Sequence, residues 1–194
     1  MENFTESSYT GEYYMERVPE MASGFRLNND MSFNFFFTYG ALDRFGNGKW
    51  KLNNGHIIFE SENWPGHDFE IIESQSNTKD KIIFELKDTN PGLVPYIYIS
   101  LNDGKPDSWI PFQSDGKIET DFLACSTIAI ACEFCPERFT LHKSEAGNNF
   151  FRIKPRNWLF EYFFKGFSLQ IHEKGLFGKH PLNMQKEFLF IKKL

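Results

Sequence analysis

Between Phe25 and Glu60 apolar residues fall at alternate positions, and that alternation predicts a β-meander. Phe25 and Leu27 alternate, and Asn28-Asn29-Asp30 supplies a turn. Met31, Phe33, Phe35, Phe37 and Tyr39 then place an apolar side chain at every second position, while Ser32, Asn34 and Thr38 face the other way, with Phe36 the exception. Successive strand side chains point to opposite faces, so a period of two builds one apolar wall. Gly40-Ala41-Leu42-Asp43 and Gly46-Asn47-Gly48 read as breakers, with Trp50 and Leu52 opening a further strand. Asn53-Asn54-Gly55 is a hairpin turn, because Asn and Gly tolerate positive φ at little cost, and Ile57, Ile58 and Phe59 return from it.

The same reading extends to both sides. Tyr13, Met15 and Val18 predict a first strand. Phe69 with Ile71 and Ile72, Lys81–Leu86, Tyr96–Leu101, Trp109-Ile110, Ile118–Phe122, Thr127–Cys135, Phe150–Ile153, Leu169–Ile171 and Phe188–Ile191 predict more. Asn102-Asp103-Gly104 and Ser114-Asp115-Gly116 read as turns, Asn63–His67 and Gly175–Pro181 as loops. Trp158 to Phe167 holds Trp158, Phe160, Tyr162, Phe163, Phe164 and Phe167, a pattern that fits a helical turn or an edge strand equally. No amphipathic helix of useful length and no fixed-period repeat is present. The expected class is all-β: an antiparallel meander or barrel-like unit packed with a β-sandwich, immunoglobulin-like unit. Ser74 to Asp80 has no apolar residue, so the boundary is expected there, giving units 1–76 and 77–194.

The meander resembles a recurring pattern of uncharacterised bacterial β-rich proteins: a turn with Asp, an aromatic strand, Gly-Ala-Leu-Asp, a glycine, then Trp and a return strand. Here these are Asp30, Phe33, Phe35, Tyr39, Gly40-Ala41-Leu42-Asp43, Gly48, Trp50, Leu52 and Ile57-Ile58. The resemblance implies a structural motif and brings no activity, so Asp30 and Asp43 are expected to form turns. From Lys81 to Phe134, strands with Asp-Gly turns and the Thr120-Asp121 pair look like the small immunoglobulin-like or transthyretin-like sandwiches that serve bacterial proteins as accessory modules.

Composition narrows the function. The chain has 194 residues, 23 of them Phe, and a net charge of −5. That aromatic content is incompatible with long disorder. The absence of any basic block speaks against nucleic acid, and no apolar run is long enough for a membrane helix. Met1-Glu2-Asn3-Phe4 has neither the charged nor the apolar region of a secretory signal. Three cysteines suggest no disulfide framework, so a cytoplasmic location is expected.

Candidate chemistry is sparse. Cys125, Cys132, Cys135 and His142 have metal-ligand flavour, but Cys132 falls inside an apolar strand and the spacing departs from paired zinc ligands; small buried hydrophobes are the expected role. No Gly-x-Ser-x-Gly elbow, phosphate loop or dinucleotide fingerprint is present. His67-Asp68 and His172-Glu173 are sequence neighbours whose side chains diverge on a strand. No cofactor is implied. The aromatic excess is the remaining lead, and Trp64, Trp109, Trp158 and Tyr162, each near a loop or turn, are the candidate binding residues. The expectation is a non-catalytic protein that docks another protein, sequestering or neutralising it. The second expectation is a small-molecule carrier with an aromatic-lined cavity; the third, a hydrolase assembled from dispersed residues.

Overall fold

The computed structural model describes residues 6–16, 18–40, 42–77, 80–102, 108–122 and 124–193. The expected turn at Asn102-Asp103-Gly104 and the position of Ala41 lie at least partly outside them. The fold is all-β; among the described residues the only helices are the short 3-10 turns Glu6–Tyr9 and Val94–Tyr96.

Along the chain the strands are β1 (Gly11–Met15), β2 (Met21–Leu27), β3 (Ser32–Tyr39), β4 (Leu42–Asn53), β5 (His56–Glu60), β6 (Phe69–Gln75), β7 (Ile82–Leu86), β8 (Ile97–Leu101), β9 (Ile110–Pro111), β10 (Lys117–Thr120), β11 (Thr127–Cys132), β12 (Thr140–Lys143), β13 (Phe150–Pro155), β14 (Phe167–His172), β15 (Gly175–His180) and β16 (Asn183–Lys192). They belong to two units. The first joins Met1–Trp64 to Phe160–Leu194, and the second is Pro65–Leu159. The boundary therefore does not fall at Ser74–Asp80: β6 runs on to Gln75 and pairs with β13 inside the second unit. Ser74 and Gln75, where the polar stretch begins, are the end of an edge strand.

The first unit is a closed barrel in the order β1-β16-β15-β14-β5-β4-β3-β2. All of its pairs are antiparallel, and β16 closes onto β1 with Tyr13 opposite Lys192. Eight strands enclose an interior just wide enough for side chains to fill. Phe25, Phe33, Phe35, Trp50, Phe59, Leu169, Leu176 and Phe190 all point into it. The Phe25 ring stands 4.6 Å from that of Phe59 and 5.0 Å from that of Phe35, so the centre of the barrel is occupied by the protein's own rings.

Two glycine-rich stretches read from sequence as interruptions are strand. β4 runs unbroken through Gly46-Asn47-Gly48, and β15 occupies Gly175–His180. Glycine here meets a close approach, not a turn. A Cβ at Gly46 would stand 2.6 Å from the Phe164 ring, and one at Gly48 would stand 2.1 Å from Glu60 O. The aromatic stretch after Trp158 is neither helix nor edge strand. Phe160–Phe164 runs beside β4, where Phe45 N–H donates to Phe160 O at 3.3 Å and Tyr162 N–H donates to Phe45 O at 2.7 Å. That path delivers Phe164 into the core against Phe33 and Phe35.

The second unit holds two four-stranded sheets, β10-β7-β13-β6 and β12-β11-β8-β9. The central β7 and β13 pair in parallel, which explains their near-continuous apolar runs Ile82-Ile83-Phe84 and Phe150-Phe151. Phe84 stacks on Phe151 at 5.2 Å. β11 ends at Cys132, and Phe134 lies in the turn that follows rather than on the strand. A buried ion pair ties this unit together: Arg138 Nε lies 2.6 Å from Asp68 Oδ2, and the same guanidinium donates to Trp158 O and Leu159 O.

Candidate functional site

Of the four aromatics singled out by sequence, Trp158 and Tyr162 are held by packing and hydrogen-bond contacts, and Tyr162 also borders a cleft on the barrel surface. Trp158 donates its indole N–H to His67 O at 2.8 Å and receives the Arg156 guanidinium over its ring at 5.6 Å. Tyr162 packs edge-on to Phe164 at 4.8 Å, with the buried Arg44 guanidinium 5.8 Å from its ring centre. Trp64 is half-buried in the coil after β5. Trp109 alone of the four stands at an exposed apolar site in the second unit.

There the indole of Trp109 meets the ring of Phe139 edge-on at 6.3 Å. The two flank a shallow trough of about 370 Å³ whose lining includes Tyr98, Ala131, Glu133 and Pro136. The alternation along β12 explains the arrangement. Thr140 points inward, and its hydroxyl accepts from Asp68 N–H at 2.7 Å. Phe139 and Leu141 point outward and are 52% and 59% exposed. Small Ala131 on β11, next to Tyr98 on β8, leaves room beside them. Tyr98 donates its hydroxyl to Glu133 at 2.8 Å, which holds the ring at the trough wall.

β12 also ends its sheet. Ser144 N–H donates to Ser126 O at 2.9 Å, and hydrogen-bonded pairs alternate along an antiparallel ladder. His142 opposite Ile128 and Thr140 opposite Ile130 therefore carry the rungs to β11. The N–H and C=O groups of Leu141 and Lys143 face the open edge, a template for a further strand. Phe139, Leu141 and Lys143 keep a period of two, but over a strand of only four residues the alternation is too short to stand out in sequence.

Among the described residues the barrel interior holds Ser23, Arg44 and His180, all buried polar groups that the sequence reading did not single out. Ser23 lies opposite Phe37, and Phe37 opposite Arg44, so Ser23, Phe37 and Arg44 form one inward row across β2, β3 and β4. Arg44 Nε donates to Phe160 O at 3.4 Å. His180 Nε2 lies 3.0 Å from the Ser23 hydroxyl, which donates to Phe36 O at 2.9 Å. Leu182 N–H donates to His180 Nδ1 at 3.1 Å, which puts the ring proton on Nε2. Nε2–H then donates to Ser23, and this Ser–His pair has the wrong tautomer for a general base acting on the serine. Burial lowers the His180 pKa to about 4, so the ring is neutral at pH 7.

The cysteine group does not assemble. Cys125, Cys132 and Cys135 are buried and form no disulfide with one another. Cys135 Sγ donates to Leu159 O at 3.0 Å, and burial raises the Cys125 thiol pKa. Among the described residues no three His, Cys, Asp or Glu side chains converge as a metal site, so Cys125, Cys132, Cys135 and His142 are not gathered into one ligand set. Their positions on and beside an apolar strand give them the packing role of small hydrophobes. Among the described residues no helix is long and apolar enough to cross a membrane.

Fold and site together define a class: an all-β protein in which an eight-stranded up-and-down barrel is interrupted in sequence by a unit of two four-stranded sheets. Comparison with protein-family models, curated proteins and solved structures finds no match, so the chemistry of the chain itself carries the functional reading.

Proposed function

We propose that the protein is a non-catalytic binding protein that docks a partner protein on the β12 edge and trough of its second unit. The observation that carries this reading is the exposure of Phe139 beside Trp109, and of Leu141 on the strand that follows, whose outer backbone groups are open among the described residues. Exposed aromatics beside a small pocket are the usual anchors of interfaces, and a sheet edge accepts an extended segment through main-chain hydrogen bonds while outward side chains set specificity. We read the two sheets of this unit as an accessory sandwich of the immunoglobulin-like or transthyretin-like kind, whose members mostly bind or space. Sequestration of the partner, in a bacterial cytoplasm, is the biological form of this proposal.

The test compares affinity capture by the wild-type chain with capture by Leu141→Asp and Phe139→Ser. A partner retained by wild type and lost at least tenfold by both variants, at unchanged melting temperature, supports docking here. Equal retention by all three chains contradicts it. Lys143→Pro removes an outward N–H without touching the rungs to β11, so strand addition also requires Lys143→Pro to bind more weakly than Lys143→Ala.

A further inference from the structure

The outer wall of the barrel carries a second site, independent of β12. A cleft of about 530 Å³ crosses β5, β14, β15 and β16, bounded on one side by the Tyr162–Phe167 segment. This is within the size range of small-molecule pockets, roughly 300–1,000 Å³. It lies outside the packed interior: His56 is opposite Gln170, and Gln170 is opposite Phe177, while Ile57 and Leu169 one position along are buried in the core.

Its walls combine two chemistries. Phe163, Phe177 and the half-exposed Met184 give an apolar body of the right size for one or two fused rings. Lys165 and Lys179 stand at the same cleft, both exposed. Among the described residues neither ammonium group has an ion-pair or hydrogen-bond partner, in contrast to Lys154, which pairs with Asp88 at 2.8 Å. Glu187 shares the lining, opposite Lys179 on β16, and Glu60 Oε2 accepts from the lining Gly166 N–H at 2.7 Å, a carboxylate engaged by the backbone and not by either lysine. Ser168 and Gln170 on the floor add neutral hydrogen-bonding groups.

We infer that this cleft binds a small aromatic anion, an aromatic carboxylate or sulfonate, with its rings between Phe163, Phe177 and Met184 and its charge at Lys165 and Lys179. An apolar wall alone would take any hydrophobe. The two unpartnered ammonium groups add selection for an anion.

The probe is 1-anilinonaphthalene-8-sulfonate, titrated into the full chain at neutral pH and low salt, with stoichiometry from calorimetry. The expected result is one site per chain on a protein with an unchanged cooperative melt. Affinity is expected to fall about fivefold in Lys165→Gln/Lys179→Gln, in keeping with exposed charge pairs, and to fall again in Phe177→Ala. The neutral analogue N-phenyl-1-naphthylamine is expected to bind more weakly than the sulfonate to wild type and equally to the lysine variant. Phe139→Ser, which disrupts the β12 trough, is expected to leave the affinity unchanged, so the two sites fail or succeed separately. Equal affinity of wild type and the lysine variant, equal affinity for the neutral analogue, loss of binding in Phe139→Ser, or no binding of the sulfonate would each overturn the assignment.

Discussion

His180 Nε2 and the Ser23 hydroxyl meet at 3.0 Å inside the barrel, although 157 residues separate them along the chain. The contact joins β15 to β2 and holds a histidine neutral in an apolar interior. An unfolded histidine titrates near 6.5, whereas this one is lowered to about 4. Below pH 6.5 the unfolded state takes up a proton that the folded state refuses. Stability is therefore complete above pH 6.5 and is lost progressively as pH falls toward 4, by about 3 kcal/mol in total. Urea denaturation at stepped pH should show this slope. His180→Gln keeps a donor and an acceptor without the titration, and its slope over the same interval should be shallower. His142, also lowered by burial, contributes in the same direction in both proteins, so the difference between them isolates His180.

Gly46 is a space requirement. The Cβ it lacks would meet the Phe164 ring at 2.6 Å and Tyr162 O at 2.8 Å. Gly46→Ala should cost about 1–3 kcal/mol by overpacking, read as a lower denaturation midpoint at unchanged slope. In a Phe164→Leu background the cost of the same substitution should shrink, because the smaller side chain relieves one of the two contacts.

Asp68 and Arg138 form a buried pair, and the loss of Asp68 leaves the Arg138 guanidinium with the half-exposed Glu137 carboxylate at 3.3 Å in place of a buried one. Asp68→Ala should cost about 3–5 kcal/mol. Replacing both by apolar residues of similar volume should cost less than Asp68→Ala alone. Thermal melts of the single and double variants decide this, and a double variant less stable than the single would count against the desolvation argument.

The three thiols should be silent in the folded protein. Cys125, Cys132 and Cys135 are buried, so a thiol reagent should label them at the rate of unfolding and stoichiometrically in denaturant. A chelator should leave the melting temperature unchanged, since these cysteines do not converge with His142. A chelator-induced drop would revive a metal site.

The all-β class, the meander and its hairpin at Asn54-Gly55 were legible because period-two alternation and turn chemistry act locally. Asn54 and Gly55 do adopt positive φ, 47° and 76°. A barrel-like unit was legible, but not the strands that close it: β1 to β5 supply five, and the other three arrive after an intervening unit. Only spatial proximity, such as that of Tyr13 and Lys192, reveals the closure. Gly46, Gly48 and Gly175 look like turn formers for the same reason, because a glycine that makes room for a distant ring or carbonyl is locally identical to one that makes a turn. Of the four candidate aromatics, Trp109 lies at the proposed site. Its companions Phe139 and Leu141 were hidden by a strand of only four residues.

The most direct test of the docking account places a photo-crosslinking amino acid at Leu141 and, as a control, at Ile72, a similarly exposed apolar residue on β6 of the same unit. In the native cellular context the account predicts a discrete covalent adduct with one partner from position 141, absent from position 72 and abolished when Phe139→Ser is added. No adduct at 141, or the same adducts from both positions, would contradict it.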